Sequence, residues 1–215
     1  MLTKYKLVIF DWDGTVMDSV GRIVSSLDEA ARLTGGLPTL SGDELKQMIG
    51  LSLDKGYEFL YPDVSLDKRD TWKAHYAQQF REDNPTPAAL YPNVFETLNK
   101  LKEAGYLLAI ATGKSRVGLD RAMDETGTAE LFVGTRTADQ TASKPDPLMI
   151  HELLDSLGIT AADAVMVGDT SHDMLLANNA GVDAIAITWG VHDKETLSAY
   201  RPVAVIDNIE SLLSI

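Results

Sequence analysis

No cysteine occurs among the 215 residues. That absence excludes disulfides, thiolate metal sites and cysteine nucleophiles. Long apolar runs are missing as well, and no stretch approaches the roughly 20 residues a membrane helix needs. The apolar run after Met1-Leu2-Thr3-Lys4-Tyr5-Lys6 is too short for a secretory signal. The expected location is the cytoplasm, with no membrane partner. Positive charge is scarce: 19 Lys and Arg face 32 Asp and Glu, a formal net charge of -13. A nucleic-acid partner is therefore not expected, since such surfaces are basic. No Gly-rich dinucleotide fingerprint follows any apolar run, and neither internal repeats nor low-complexity tracts occur. The length allows one large core, or one core plus a smaller accessory domain.

What is present is organised around Leu7-Val8-Ile9-Phe10-Asp11-Trp12-Asp13-Gly14-Thr15. Four apolar residues are too few for a helix and read as a strand buried on both faces. Asp11 and Asp13 fall where that strand ends, and in an open parallel sheet ligands bind beyond the carboxyl ends of strands. Two close carboxylates repel unless a cation sits between them. A hard divalent ion such as Mg2+ suits them, because it takes oxygen ligands and leaves positions open for phosphate. One carboxylate can then attack phosphorus while the other handles a proton. Taken alone, the stretch also fits a strand and an Asp-Gly turn with solvated carboxylates.

From about Ser19 to Asn84 no buried strand is legible. Val20, Ile23, Val24 and Leu27 recur at helical spacing, with a stop at Gly35-Gly36. Ser41-Gly42-Asp43-Glu44 reads as a capping box opening a short helix to Met48. Ile49-Gly50-Leu51-Ser52 reads as a loop, Leu53 to Leu60 as a helix ending before Pro62, and Leu66 to Arg81 as a longer helix. A crossover between neighbouring parallel strands usually needs one helix. Several helical segments intervene here, which predicts an inserted helical domain joined near residues 15–18 and 83–88.

From Tyr91 strand and helix alternate. Expected strands are Leu107–Ala111, Leu131–Val133, Ala164–Val167, Ala184–Ile187 and Val203–Ile206. Expected helices are one carrying Val94, Leu98 and Leu101 before Gly105, one from Arg116 to Glu125, one capped by Asp146 with Pro147 at its first position, and one ending at Ala180-Gly181. The fold class is α/β: a Rossmann-like parallel sheet with helices on both faces, plus an all-helical insertion.

Parallel strands place their C-terminal ends on one edge, so the groups after each strand converge. Those groups are Asp11 and Asp13, Thr112-Gly113, Lys144, and Asp169 with Asp173. They supply carboxylates, a hydroxyl, backbone N–H groups and a cation, an inventory suited to phosphoryl transfer. Singly, each has a plainer role: Thr112-Gly113 as a turn, Lys144 as a solvated lysine, Asp169 as a turn residue, Asp173 as a helix-start carboxylate. Trp12 reads as a packing residue whose backbone N–H faces the phosphate. His172 reads as a loop or capping residue; Lys114 and Arg116, near Thr112-Gly113, read either as residues of a solvated helix, the reading favoured, or as aids to an anionic substrate. The joint order along the chain favours the catalytic reading.

Asp11-Trp12-Asp13-Gly14-Thr15, Thr112-Gly113-Lys114, Lys144-Pro145 and Gly168-Asp169-Thr170-Ser171-His172-Asp173 resemble, in order, the four motifs of the haloacid dehalogenase superfamily. Leu90-Tyr91-Pro92-Asn93-Val94 and Ala177-Asn178-Asn179-Ala180-Gly181 extend the likeness to the branch similar to phosphoglycolate phosphatases. The resemblance implies a catalytic core of residues 1–15 and 88–215 and a helical cap of residues 16–87. It implies Asp11 as nucleophile, forming an aspartyl-phosphate, and Asp13 as the acid and base. Asp11, the backbone carbonyl of Asp13, and Asp169 would hold Mg2+. Thr112 and Lys144 would bind the phosphoryl oxygens, helped by Trp12, Asp13 and Gly113, while Asp173 would support Lys144 or the metal shell. The cap loop Gly50, Leu51 and Ser52 is the expected seat of specificity.

The implied activity is a Mg2+-dependent phosphatase acting on a small phosphorylated metabolite, in a chain expected to be monomeric. A phosphosugar mutase is the nearest alternative, although the loop Ile49-Gly50-Leu51-Ser52-Leu53 lacks the arginine such enzymes carry there. A non-enzymatic phospho-dependent binding module is the second. A receiver domain of that kind is shorter and has no large helical insertion.

Overall fold

The computed structural model describes residues 2–214. Six parallel strands form its central sheet: β1 (Leu7–Phe10), β4 (Leu107–Thr112), β5 (Gly134–Thr137), β6 (Ala164–Gly168), β7 (Asp183–Ile187) and β8 (Ala204–Ile206), in spatial order β5-β4-β1-β6-β7-β8. Two short strands, β2 (Met17–Asp18) and β3 (Ala89–Leu90), pair antiparallel outside it.

The apolar runs read as strands are buried on both faces, and the period of two sorts them. Val8, Phe10, Leu108, Ile110, Val165, Val167, Ile185 and Ile187 face one layer, packed on α5 (Val94–Glu103) and α6 (Arg116–Thr126). Leu7, Ile9, Ala109, Ala111, Ala164, Met166, Ala184 and Ala186 face the other. There they meet α7 (Leu148–Leu157), α8 (Ser171–Ala180) and α9 (Lys194–Ser198). The second face is rich in alanine and the first in larger side chains. A register slip of one residue would exchange the two sets, so the register is strongly specified.

From β1 the chain builds outward through β4 to β5, then returns to the other side of β1 for β6 onward. That reversal makes the C-terminal ends of β4, β1 and β6 a topological switch point, the crevice where such sheets bind ligands.

Between β2 and β3 run α1 (Val20–Thr34), α2 (Gly42–Lys46), α3 (Leu53–Leu60) and α4 (Arg69–Gln78), which pass into a π turn at Gln79–Asp83. They bury a cluster of their own around Ile23, Leu27, Leu45, Tyr57, Tyr61 and Trp72. Aromatic contacts continue along α4 into the π turn, with ring centroids 6.3 Å apart for Trp72 and Tyr76 and 5.8 Å for Tyr76 and Phe80. The capping box at Ser41 and Glu44 is formed, and α3 spans the expected residues. Among the described residues, no helix is long and apolar enough to cross a membrane.

Two expectations are corrected. The strand placed at Leu131–Val133 lies further on, at Gly134–Thr137. Ala129–Leu131 is instead a 3-10 turn that buries Leu131, and Phe132 packs edge-on against Trp12 at 6.4 Å. The strand is an edge strand of Gly, Thr and Arg, so it carries little apolar signal, whereas the run before it is apolar because Leu131 and Phe132 pack on the core, Val133 being exposed. The start of α7 is also shifted by one residue: Pro147 is the N-cap, and Asp146 Oδ1 accepts the Leu148 N–H at 2.9 Å.

Candidate active site

Three adjacent strand ends deliver the expected residues to one place. Asp11 follows β1, Thr112 closes β4, and Asp169 follows β6; each is about 1 % exposed or less. Lys144 arrives from the loop before α7 and is equally buried, which excludes a solvated role for it. Its Nζ donates to Asp11 Oδ1 and to Asp173 Oδ1, both at 2.6 Å. The other Asp173 oxygen accepts the Thr170 N–H at 3.0 Å and its hydroxyl at 2.7 Å, closing a capping box at the start of α8. Asp173 is thus fully engaged in holding Lys144 and its own helix.

Asp169 is fixed just as tightly. Thr15 Oγ1 donates to Oδ1 at 2.8 Å and the Val191 N–H to Oδ2 at 2.8 Å. Glycines flank it on two sides: a Cβ at Gly14 or at Gly190 would lie 2.2 Å from Asp169 Oδ2. Gly14 adopts φ of +88°, so the turn itself also favours glycine there.

Asp11, Asp169 and Asp173 each offer an oxygen within 4.8 Å of the others. Three carboxylates against the single Lys144 ammonium leave two negative charges without a counterion. Asp11 Oδ2 is buried with no hydrogen-bond partner among the described residues, a costly state for a charged oxygen. An all-oxygen donor set, an orphaned buried carboxylate oxygen and a deficit of two positive charges fit a hard divalent cation. The electrostatics agree. Burial pushes the Asp11 carboxyl up to about 7; Lys144 opposes the rise and Asp173 adds to it. Burial, then Asp173 and Asp11, hold Asp169 well above the usual carboxylate range, against the pull of Val191 and Thr15. Burial works against the Lys144 charge too, but Asp11 and Asp173 outweigh it and keep the ammonium protonated.

Asp13 lies in a second ionic cluster. Lys114 Nζ meets both its oxygens, at 2.8 and 2.9 Å, and Ser19 Oγ donates to Oδ1 at 2.7 Å. Lys114 is therefore no solvated helix residue; its side chain is only 10 % exposed. Arg116 turns away, toward Thr135 on β5 and Asp120. Trp12 is a packing residue, its indole N–H directed at Met17 Sδ at 3.3 Å. The backbone N–H groups of Trp12, Asp13 and Gly113 donate no hydrogen bond within the described residues. Free amides at a strand end form the kind of nest that receives anions.

The loop Ile49–Ser52 sits over this edge. Gly50 and Leu51 carbonyls lie so close to Gly113 that a Cβ there would fall 2.4 and 2.5 Å from them. The Ser52 N–H donates to Ser143 Oγ at 2.8 Å, next to Lys144. Gln47 adds a second fastening. Its carbonyl meets His172 Nε2 at 3.0 Å and its side-chain oxygen meets His192 Nε2 at 3.1 Å. The Ser171 N–H donates to His192 Nδ1, which leaves Nε2 as the protonated nitrogen facing Gln47. His172 is thus a bridge to the helical insertion.

Sequence reading therefore located Asp11, Asp13, Thr112, Lys144, Asp169 and Asp173, and the structure gathers them at one sheet edge. It did not single out Thr15, Ser19, Gly190 and Val191. Thr15 and Ser19 lie in the opening stretch, and their small hydroxyls so near two carboxylates were the available signal. Gly190 and Val191 gave none, because their contact with Asp169 arises only when β7 lies beside β6.

Comparison with known proteins accords with this architecture. The chain is 36% identical over 211 residues to the probable phosphatase IndB of Dickeya dadantii (strain 3937), covering 96% of this chain and 91% of that protein. It is 31% identical over 220 residues to the phosphoglycolate phosphatase of Vibrio vulnificus (strain YJ016), covering 99% and 96%. A crystal structure described as "a predicted phosphoglycolate phosphatase from haemophilus somnus 129pt" superposes with a TM-score of 0.88 at 25% identity, covering 100% of this chain and 99% of that one. Residues 8–187 match the family model for haloacid dehalogenase-like hydrolases, a span that starts in β1 and ends with β7 and so takes in every strand end of the site. The chain is an enzyme of the haloacid dehalogenase-like hydrolase family.

Proposed function

We propose that this protein is a Mg2+-dependent phosphatase that hydrolyses a small phosphate monoester through an aspartyl-phosphate on Asp11. The observation that carries the reading is the state of Asp11: one oxygen held by Lys144, the other buried and unpartnered at the switch point of the sheet.

Asp11, the backbone carbonyl of Asp13, and Asp169 would hold the ion. When bound, it would neutralise charge on the phosphoryl oxygens and on the attacking carboxylate. Lys144 and Thr112 would grip the other phosphoryl oxygens, with the free N–H groups of Trp12, Asp13 and Gly113 beside them. These donors are fixed before substrate arrives, so little reorganisation accompanies the transition state. Asp11 attacks phosphorus, and the bond to the leaving-group oxygen breaks. Asp13 delivers a proton to that oxygen, then takes one from the water that attacks the aspartyl-phosphate. Asp173 acts through Lys144, as a positioning residue.

Residues 16–87 would work as a cap over residues 1–15 and 88–215, hinged at the β2–β3 ribbon. The approach of Gly50 and Leu51 to Gly113 supports this reading, and a cap held there would keep bulk water from the intermediate. Gly50, Leu51 and Ser52 would contact the leaving group. Cytoplasmic action on a soluble metabolite, by a monomer, is the simplest setting.

The test is phosphate release from a panel of phosphate monoesters with and without Mg2+, with Asp11→Asn as the blank. Metal-dependent turnover that vanishes in the variant supports the reading. No release from any ester by folded, metal-loaded protein refutes it.

A further inference from the structure

The segment between β7 and α9, residues 188–193, touches a carboxylate of the site and the helical insertion at once. On one side the Val191 N–H donates to Asp169 Oδ2 at 2.8 Å, and the His192 N–H donates to the Asp169 carbonyl at 3.2 Å. Gly190 keeps the segment tight against that carboxylate, since a Cβ there would lie 2.2 Å from Oδ2. On the other side the Val191 side chain packs on the apolar cluster of the insertion, which includes Met48 and Ile49. The His192 ring, next in the chain, meets Gln47.

Gln47 is shaped to receive that ring. It closes α2, and its side-chain Nε2 donates to the Asp43 carbonyl at 3.4 Å, which leaves Oε1 free to accept. The Ser171 N–H donates to His192 Nδ1, so the ring proton sits on Nε2 and is donated to that Oε1 at 3.1 Å. The Gln47 carbonyl can only accept, so His172 Nε2 donates to it at 3.0 Å. One residue of the insertion thus takes hydrogen bonds from two histidines that flank Asp169 on different loops. Gly50 and Leu51 follow in the same run of turns, where the Ile49 N–H donates to the Lys46 carbonyl and the Leu51 N–H to the Met48 carbonyl. Fixing Gln47 therefore fixes where Gly50 and Leu51 lie above Gly113.

Resting on the phosphatase reading and its metal site, we propose that Gln47 is a positioning residue that couples Asp169 to the helical cap. Through His192 it holds residues 190–192, and they hold the Asp169 carboxylate in the orientation a cation requires. Groups that hydrogen-bond a ligand carboxylate orient it and so set the affinity of the site. The coupling is reciprocal: whatever fixes Asp169 also steadies Gln47, and with it the loop over the sheet edge. Occupation of the metal site favours the docked cap, and the docked cap favours occupation. The Ser52–Ser143 hydrogen bond fastens the cap on the other side, next to Lys144, and stands outside this link.

The experiment measures Mg2+ affinity by calorimetry, and amide exchange over residues 47–52 with and without Mg2+, in wild type, Gln47→Met and Gln47→Glu. Gln47 is exposed, so its variants should fold. Gln47→Met keeps the length of the side chain and removes the acceptor. Its Mg2+ affinity should fall about 2- to 10-fold, the range of one net hydrogen bond. In wild type Mg2+ should slow exchange over residues 47–52, and Gln47→Met should lose most of that slowing. Gln47→Glu keeps an oxygen facing His192 and should restore it. A glutamine with only a structural role would quicken exchange equally with and without Mg2+ and leave the affinity as it was. Wild-type Mg2+ affinity in Gln47→Met, or an undiminished response of its exchange to Mg2+, overturns the inference and leaves the phosphatase reading standing. So does a Gln47→Glu protein that behaves like Gln47→Met. Failure of the wild type to bind Mg2+ removes the metal site of the phosphatase reading, and this inference with it.

Discussion

Replacing Gly113 by alanine tests whether the helical insertion must reach the sheet edge for the enzyme to work. Gly113 is not among the glycines at positive φ, so an L residue fits its backbone. The obstacle is the opposing loop. A Cβ at this position would lie 2.4 Å from the Gly50 carbonyl oxygen and 2.5 Å from that of Leu51, whereas ordinary contact begins at 3.4 Å. Both partners are backbone and cannot rotate aside, so the loop has to withdraw by about 1 Å. A displacement of about 1 Å around reacting groups costs up to about 100-fold in rate, or about 2.7 kcal/mol of transition-state stabilisation. Gly113→Ala should therefore lose about 10- to 100-fold in kcat/KM for phosphate release. Overpacking of that kind costs about 1 to 3 kcal/mol in denaturant unfolding, so the variant should be less stable yet still folded. Amide hydrogen exchange over residues 49–52 should quicken in step. Wild-type kcat/KM in a folded Gly113→Ala enzyme, or unaltered exchange in that loop, would refute the close approach as a requirement for turnover.

Other outcomes follow from the same geometry. Asp11→Asn should fold, with Tm equal to or above wild type because a buried charge is removed, and should lose at least about 1000-fold in turnover; residual activity near wild type would rule out Asp11 as nucleophile. Gly190→Ala places a methyl 2.2 Å from Asp169 Oδ2, so Mg2+ affinity measured by calorimetry should drop, with circular dichroism unchanged; equal affinity would mean that Asp169 is not a ligand. The folded-state pKa of Asp11 is raised to about 7 and that of Asp169 is raised as well. An acid with a raised pKa binds more protons folded than unfolded, so metal-free stability should fall as pH climbs from about 4 to about 7. A bound divalent cation relieves that penalty, and the rise in Tm on adding Mg2+ should be larger at pH 8 than at pH 5; a rise that is larger at pH 5 would contradict the assignment. Asp173→Ala strips Lys144 of one partner and α8 of its capping carboxylate, and should cost about 3 kcal/mol in denaturant unfolding, since it breaks a buried ion pair; a loss below about 1 kcal/mol would show that pair to be dispensable.

Much of this molecule was legible along the chain because the information is local. Leu7–Phe10, Leu107–Thr112 and Ala164–Gly168 are apolar on both faces, which marks central parallel strands without reference to their neighbours. Once they are central and parallel, the residues that follow them share one edge, and Asp11, Thr112 and Asp169 had to converge. The helices between Ser19 and Asn84 announced themselves by spacing and by caps such as Ser41 with Glu44. The edge strand Gly134–Thr137 did not, because an edge position asks little of its side chains beyond backbone pairing with β4.

What the tertiary structure alone decided are the contacts across long separations. Lys114 reaches Asp13 over 101 positions and His192 reaches Gln47 over 145. The first depends on the loops after β1 and β4 lying side by side, the second on how the helical insertion settles against the loop after β7. Periodicity cannot report such pairings, because it describes which face a residue occupies and not what will lie opposite. The sequence therefore determined the sheet, its loaded edge and the carboxylate chemistry there. The side-by-side packing of β1 and β4 decided which cation faces Asp13, and the approach of the insertion's loop decided how little room there is for a side chain at position 113.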